Sequence, residues 1–237
     1  MRSHDNDNLT AEMPPNPHQT RAQLISAAEQ LFAERGIEAV SLREINTAAG
    51  QRNATAVQYH FQDRDGLLVA VLAKHHAQVE QARHVLLDVY DSHQEATPGL
   101  GPEAMRELSG ALVSPLAGKL ADPDGGRSYL QIMAQLVNRP DPPWASLGML
   151  GQHDSLNRWR ATVAPLLGEA ALKTLHHRFT AIRITLIELA RRAEERPRRN
   201  DRLFVSHLTD LVSAILSAPM SAETAGLLEE RARRQNP

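Results

Sequence analysis

The sequence predicts an all-α fold, with an N-terminal three-helix domain containing a helix-turn-helix and a C-terminal helical bundle. Three observations favour this class. Alanine and leucine dominate the composition and aromatic residues make up only 4% of the 237 residues, which suits helix packing better than sheet packing. Apolar residues recur at helical spacing through most of the chain. Capping signals and glycines mark where individual helices begin and end.

The composition also excludes several classes of protein. The formal net charge is −2 and the chain has no cysteine, so it lacks the overall basic charge of many nucleic-acid binders, and disulfides and thiolate metal sites are excluded. No apolar run approaches the length of about 20 residues that a membrane-spanning helix needs. We therefore expect a cytoplasmic protein without membrane contact. No enzyme motif and no cofactor-binding glycine motif occurs, so we expect neither catalytic residues nor a cofactor.

The N-terminal residues predict an arm followed by one amphipathic helix. Residues 1–19 are polar and contain three prolines, which is typical of a disordered arm. Thr20 and Gln23 have the spacing of a capping box at the start of the first helix. Gly36 is expected to end that helix.

A second capping box, Ser41 with Glu44, predicts a short second helix that ends at Gly50. A third short helix is expected to begin between residues 53 and 55 and to bury Val57 and Phe61. Two short helices joined by a tight turn are the pattern of a helix-turn-helix that reads DNA.

The recognition surface can be predicted from what a helix in the major groove needs. It needs small residues for close approach, polar side chains that reach base edges, and cations for the flanking phosphates. The alternative is an ordinary solvated helical face beside a Tyr-Phe core pair. The predicted DNA-contacting residues are Ser41, Arg43, Gln51, Arg52, Asn53, Thr55, Ala56, Gln58, Tyr59, His60 and Arg64. Among these, Arg43 and Arg64 are expected to contact phosphates on either side of the third helix.

The rest of the chain predicts further helices. Asp63 is expected to cap a long helix that connects the two domains. Additional helices are expected at about residues 103–120, 127–137, 153–167, 169–196 and 202–217, separated by segments rich in proline and glycine. The predicted domains are residues 20–66 for DNA binding and 67–220 for ligand binding and dimerisation, followed by a C-terminal tail at 221–237.

Residues 20–75 closely resemble the DNA-binding domain of the tetracycline-repressor (TetR) family of bacterial transcriptional regulators. The matching pieces are LFAERG at 31–36, SLREI at 41–45, AAG at 48–50, YHF at 59–61 and the helix start at 64–68. The sequence departs from the family pattern in having one more residue between Gly50 and Phe61. Gln58 also stands where the family often has a tyrosine.

The resemblance implies a homodimeric repressor that binds a palindromic operator on double-stranded DNA and is released by a small-molecule effector. In the family, the last two long helices pair with those of a second copy. Here both helices are apolar over a wide arc, which is expected of a helix with two packing partners. Burial in the centre of one monomer would explain the same pattern.

The middle helices are expected to enclose the effector, because pockets in helical bundles are mostly apolar with a few polar groups. Arg183 is the one charged residue in an apolar stripe of the penultimate helix. The candidate lining residues, each of which could equally be plain core, are Met133, Leu136, Trp144, Met149, Trp159, Phe179 and Arg183.

The alternative function is a helical metal-binding or protein-adaptor module without DNA readout. His76, Glu80 and His84 are spaced four residues apart on one helical face, and such a spacing can bind a divalent ion. Two histidines and one carboxylate without a further ligand are a weak signature, so no metal site is predicted.

Overall fold

The computed structural model describes residues 17–53, 55–96, 99, 101–139, 154–198 and 200–235, and these residues form α-helices, two short 3₁₀ helices and their connections. The all-α prediction is therefore confirmed. The chain divides into two compact units, the first ending at Val71 and the second beginning at Leu72. No helix in the described ranges is both long enough and apolar enough to cross a membrane.

The first unit contains α1 (Pro17–Arg35), α2 (Leu42–Ala48), α3 (Ala56–Phe61) and the start of α4 (Arg64–Ala96). Glycines at positive φ follow the ends of α1 and α2, with φ of 93° at Gly36 and 68° at Gly50, a conformation in which a side chain is costly. Both predicted helix ends are confirmed. The core of this unit is built from apolar side chains of all four helices and the α1–α2 connection: Leu24, Ala28, Phe32, Ile37, Val40, Ile45, Val57, Phe61, Leu67 and Leu68.

Within the described residues, the second unit contains the rest of α4 and seven more helices. These are α5 (Pro102–Ala117), α6 (Gly126–Val137), α7 (Ser155–Val163), α8 (Glu169–Lys173), α9 (His177–Glu194), α10 (Arg202–Leu216) and α11 (Ala222–Gln235), with 3₁₀ helices at Gly118–Ala121 and Ala164–Leu166. Helix α9 packs against α6 and α10, and α5 packs against α10 and α7. The side chain of Trp159 is fully buried, and its Nε1 donates a hydrogen bond to the Leu108 carbonyl oxygen at 2.7 Å.

Helix boundaries differ from the sequence expectation at three places. The predicted capping box of Thr20 and Gln23 is wrong, because α1 begins three residues earlier, at Pro17, and Thr20 is buried inside the helix. The helix expected at 169–196 is divided into α8 and α9 by His176, whose φ is 54°. Helix α11 occupies most of the segment assigned to the C-terminal tail.

Candidate functional site

Helix α2 begins with the capping box that the sequence predicted. The Ser41 hydroxyl accepts a hydrogen bond from Glu44 N at 3.2 Å, and the Glu44 carboxylate accepts one from Ser41 N at 2.8 Å. Arg35, at the end of α1, adds an ion pair with Glu44 at 2.8 Å. The bonds from the Ser41 backbone and hydroxyl and from Arg35 lower the pKa of Glu44 to about 2. This carboxylate therefore ties the start of α2 to the end of α1 at neutral pH.

The connection from α2 to α3 is held by Asn46, which is buried. Its side-chain Oδ1 accepts a hydrogen bond from Val57 N at 3.2 Å, and its carbonyl oxygen accepts one from Gln51 N at 2.9 Å. Asn46 thus holds both the turn after Gly50 and the first turn of α3. Asn46 was not among the residues predicted from the sequence. The sequence feature that could have identified it is its position beside Ile45 on the buried side of a short helix. An unpaired polar group is costly there, so a buried amide is expected to have a hydrogen-bonding role.

Helix α3 presents two different faces over its six residues. Val57 and Phe61 are buried, as predicted, and the guanidinium of Arg21 lies 5.1 Å from the centre of the Phe61 ring. On the other face the Tyr59 side chain is 81% exposed, and its ring makes an edge contact with the His60 ring. An aromatic residue with so little burial does not contribute much to folding, so its side chain is available to a partner.

The predicted DNA-contacting residues fall into three groups by exposure. Exposed residues are Ser41, Arg43, Arg52, Asn53, Thr55, Gln58 and Tyr59; partly buried residues are Gln51, His60 and Arg64. Ala56 is buried, with 6% of its surface exposed, so its side chain is not free to contact a base as the sequence analysis expected.

Several of the predicted contacts have side-chain bonds within the protein, in addition to the bonds between Ser41 and Glu44. The Gln51 amide donates to Gln23 Oε1 and to the Ala49 carbonyl oxygen, at 3.1 and 3.0 Å. Arg64 donates to the Ile37 carbonyl oxygen at 2.6 Å. In this conformation its guanidinium stabilises the first unit and is not free to contact a phosphate.

Asn53 Oδ1 accepts hydrogen bonds from the backbone N and the hydroxyl of Thr55, at 2.9 and 2.8 Å. Asn53 therefore orders the backbone that leads into α3.

The second unit encloses a cavity of about 200 Å³. Apolar side chains from α4, α5, α6, α7 and α9 form its walls: Val79, Leu112, Leu116, Met133, Leu156, Phe179, Ile182 and Leu186. Polar groups also face it: His76, Glu80, Arg83, Tyr129, Asp154 and Arg160. An apolar chamber with a few polar groups is the usual composition of a small-molecule site.

The predicted lining residues are only partly placed at this cavity. Met133 and Phe179 line it, whereas Leu136 and Trp159 are buried away from it as core residues. Arg183 is exposed and donates to Asn138 Oδ1 at 3.2 Å, so its place in an apolar stripe was predicted wrongly. Trp144 and Met149 lie outside the described residues.

The spacing of His76, Glu80 and His84 does not produce a metal site in the described part of the chain, where no three metal-ligating side chains converge. His76 Nε2 is 3.9 Å from Glu80 Oε1. His84 instead lies against Arg158, 3.3 Å from its guanidinium.

The first unit is a helix-turn-helix DNA-binding module by its fold and by the exposed polar face of α3. Residues 24–71 match the sequence model of the bacterial regulatory proteins of the tetR family. Residues 24–71 are therefore a DNA-binding domain like that of the tetR family, and this match supports a DNA-binding transcriptional regulator. Among curated proteins, none matches the chain significantly.

Solved structures resemble the chain over most of its length. A HlyIIR mutant protein, in which a short segment is replaced by alanine, is 15% identical with a TM-score of 0.54, covering 87% of this chain and 100% of its own. A bacterial regulatory protein in the tetR family from Rhodococcus RHA1 is 16% identical, also with a TM-score of 0.54, covering 85% of this chain and 98% of its own. At these identities the likeness is one of fold.

Proposed function

We propose that the protein is a homodimeric repressor whose two α3 helices bind the half-sites of a palindromic operator, and that a small molecule in the second-unit cavity releases it. The main support for DNA recognition is that α3 has one buried face and one exposed polar face. Gln58 and Tyr59 lie on the exposed face, and Arg52 and Thr55 are exposed at its N-terminal end. These side chains offer the donors, acceptors and aromatic edge that base recognition in the major groove requires.

The charge of the first unit favours a dimer. Its residues 17–71 contain five arginines and six carboxylates, so the release of counterions from phosphates provides little net attraction. One copy would therefore bind weakly. Two linked copies add their binding energies, because the second half-site is bound at a high effective concentration.

The surface for a second copy is the outer face of α10. Leu203 and Leu211 are 84% and 43% exposed, and they share this face with His207 and Ala214 at helical spacing. The opposite face of α10, which includes Leu208 and Val212, is buried within the monomer. The helix thus has apolar residues on both its buried face and its exposed face. Exposed apolar side chains in a row on one helix are typical of an interaction surface.

Release by an effector rests on the cavity and on α4. Four cavity residues, at 76, 79, 80 and 83, belong to α4, and the same helix begins at Arg64 in the unit that carries α3. A ligand that binds one position of α4 better than another would change the population of the DNA-binding form. We propose this as the route of release.

The test is selection of genomic fragments from the source organism, followed by binding measurements on the enriched fragment. We expect a palindromic sequence, two protein chains per fragment and an affinity that falls with salt concentration. Binding without a shared sequence, or no salt-dependent binding at all, would favour the protein-adaptor alternative.

A further inference from the structure

The polar end of the second-unit cavity is a hydrogen-bonded cluster on α4 and the start of α7. Ser155 donates to the Glu80 carboxylate through its backbone N at 2.7 Å and its hydroxyl at 2.8 Å. The same hydroxyl accepts from Arg83 Nη1 at 2.8 Å. These bonds from Ser155, with the charges of His76 and Arg83, outweigh the burial of Glu80 and lower its pKa. Glu80 is therefore ionised and already has its hydrogen-bond partners.

Two polar atoms of this cluster remain without a hydrogen bond. The Arg83 side chain is buried, with 4% of its surface exposed, and its Nε–H has no acceptor among the described residues. Asp154 Oδ2 is buried and has no partner there either, while Asp154 Oδ1 accepts from Leu156 N at 2.8 Å. Both residues line the cavity. A buried unsatisfied donor on a charged group is expensive, and a ligand in the cavity would satisfy it.

Arg160 adds a second cation to the cavity wall. Its guanidinium donates to Asn157 Oδ1 at 3.2 Å, and no ion pair of Arg160 occurs in the described part of the chain. Burial raises the pKa of Asp154, and the charge of Glu80 raises it further. The cavity wall therefore presents two guanidinium groups, those of Arg83 and Arg160, whereas the Glu80 carboxylate already has its hydrogen-bond partners.

We propose that the cavity binds a small monocarboxylate with an apolar body, its carboxylate accepting hydrogen bonds from Arg83 Nε and from Arg160. This rests on the proposed function, in which the cavity is the effector site. The apolar walls contributed by Leu112, Leu116 and Ile182 enclose the body of the acid. Arginine is suited to this role because its donors form strong bonds with a carboxylate and it keeps its charge when buried.

The size of the cavity further restricts the class of ligand that it can bind. An apolar cavity of about 150 Å³ holds one benzene molecule, so a volume of about 200 Å³ accommodates one ring or an equivalent aliphatic chain with a short acidic arm. An ammonium group in the same place would meet two cations. A neutral amide would leave the second cation without a counter-charge.

The first experiment uses the unmodified full-length protein and three ligands that share one body: 3-phenylpropanoate, 3-phenylpropanamide and 3-phenylpropylamine. Isothermal titration calorimetry is expected to show binding of the carboxylate that is at least tenfold tighter than that of the amide or the amine. Equal or tighter binding of the amide or the amine overturns the proposal. Absence of carboxylate binding at millimolar concentration overturns it as well.

The second experiment removes one positive charge from α7 in two matched variants. Arg160→Gln is expected to weaken 3-phenylpropanoate binding at least tenfold and to leave amide binding within about twofold, because hydrogen bonds to charged groups are the strong ones. Arg158→Gln is the control, since Arg158 lies on the same helix and pairs with Asp88 and Asp91 instead of lining the cavity. Equal losses for the acid and the amide in Arg160→Gln would show a role in shape rather than in charge recognition.

A DNA measurement separates this inference from the release mechanism. If 3-phenylpropanoate binds and the affinity for the selected operator stays unchanged, release by the cavity ligand is wrong and the ligand class stands. If the amide or the amine lowers operator affinity and the acid does not, the ligand class is overturned and release stands.

Discussion

The junction between α3 and α4 depends on the absence of a side chain at Gly66. A Cβ at this position would lie 2.1 Å from the carbonyl oxygen of Phe61 and 3.2 Å from its carbonyl carbon. Phe61 is the last residue of α3. The obstructing atom is its carbonyl oxygen, a backbone atom that cannot rotate away as a side chain could. Gly66 also donates its N–H to Asp63 Oδ1 at 2.8 Å, which caps α4 as predicted.

Gly66→Ala should therefore destabilise the protein. Relief of the contact requires a backbone shift of about 1 Å, and overpacking of this kind costs about 1–3 kcal/mol. Alanine recovers about 0.5–1 kcal/mol through its better helix propensity, so we expect a net loss of about 2 kcal/mol in the free energy of unfolding. Operator affinity should fall too, because the shift displaces the end of the recognition helix.

The assay is urea denaturation of the full chain followed by circular dichroism, with operator binding measured on the same samples. The matched control is Gly110→Ala in α5, where an added Cβ meets only the Thr209 side chain at 4.0 Å. This control should gain about 0.5–1 kcal/mol. If Gly66→Ala is as stable as the unmodified protein, the close approach of α4 to Phe61 is refuted.

Two further predictions concern the capping box and the dimer. The folded-state pKa of Glu44 is about 2 against an ordinary value of 4.5, so its stabilising effect is complete above pH 4.5 and is lost as the pH falls towards 2. The difference in melting temperature between the unmodified protein and Glu44→Gln should be smaller at pH 3 than at pH 7, and an equal difference would argue against the ionised cap. Leu203→Glu with Leu211→Glu should yield monomers in analytical ultracentrifugation and weaken operator binding at least a hundredfold, because only one half-site is then engaged at a time. Val85→Glu, at another exposed apolar residue, should leave the dimer intact; a dimeric double variant would exclude the α10 face.

The first unit was largely predictable because its signals are local. Ser41 with Glu44, Gly36 and Gly50 each act on neighbouring backbone groups, so their effect can be read within a few residues. The predicted box at Thr20 failed because Pro17 is compatible with the first turn of a helix, and the helix simply begins earlier. Ala56 is buried because of the way α3 packs within the first unit, and no local sequence pattern indicates this packing.

The cavity could not be predicted in the same way because its polar groups come from distant parts of the chain. Arg83 meets Ser155, which is 72 residues further along, and the pairing depends on how α4 and α7 pack. The break at His176 has no local signal either, since neither glycine nor proline occurs from Thr174 to His176. A non-glycine residue in the left-handed region is held there by its surroundings rather than by its own preference.

If the exposed face of α3 reads DNA, an Arg52→Ala/Tyr59→Ala double variant should lose affinity for the selected operator. Base contacts are worth about 1–3 kcal/mol each, so the loss of two of them should lower the affinity at least about thirtyfold. The melting temperature should stay nearly unchanged, because the Tyr59 side chain is 81% exposed. A control variant, Gln30→Ala/Glu34→Ala, removes an exposed pair from α1 and should bind normally. An operator affinity of the double variant within about twofold of that of the unmodified protein would show that this face of α3 does not read DNA.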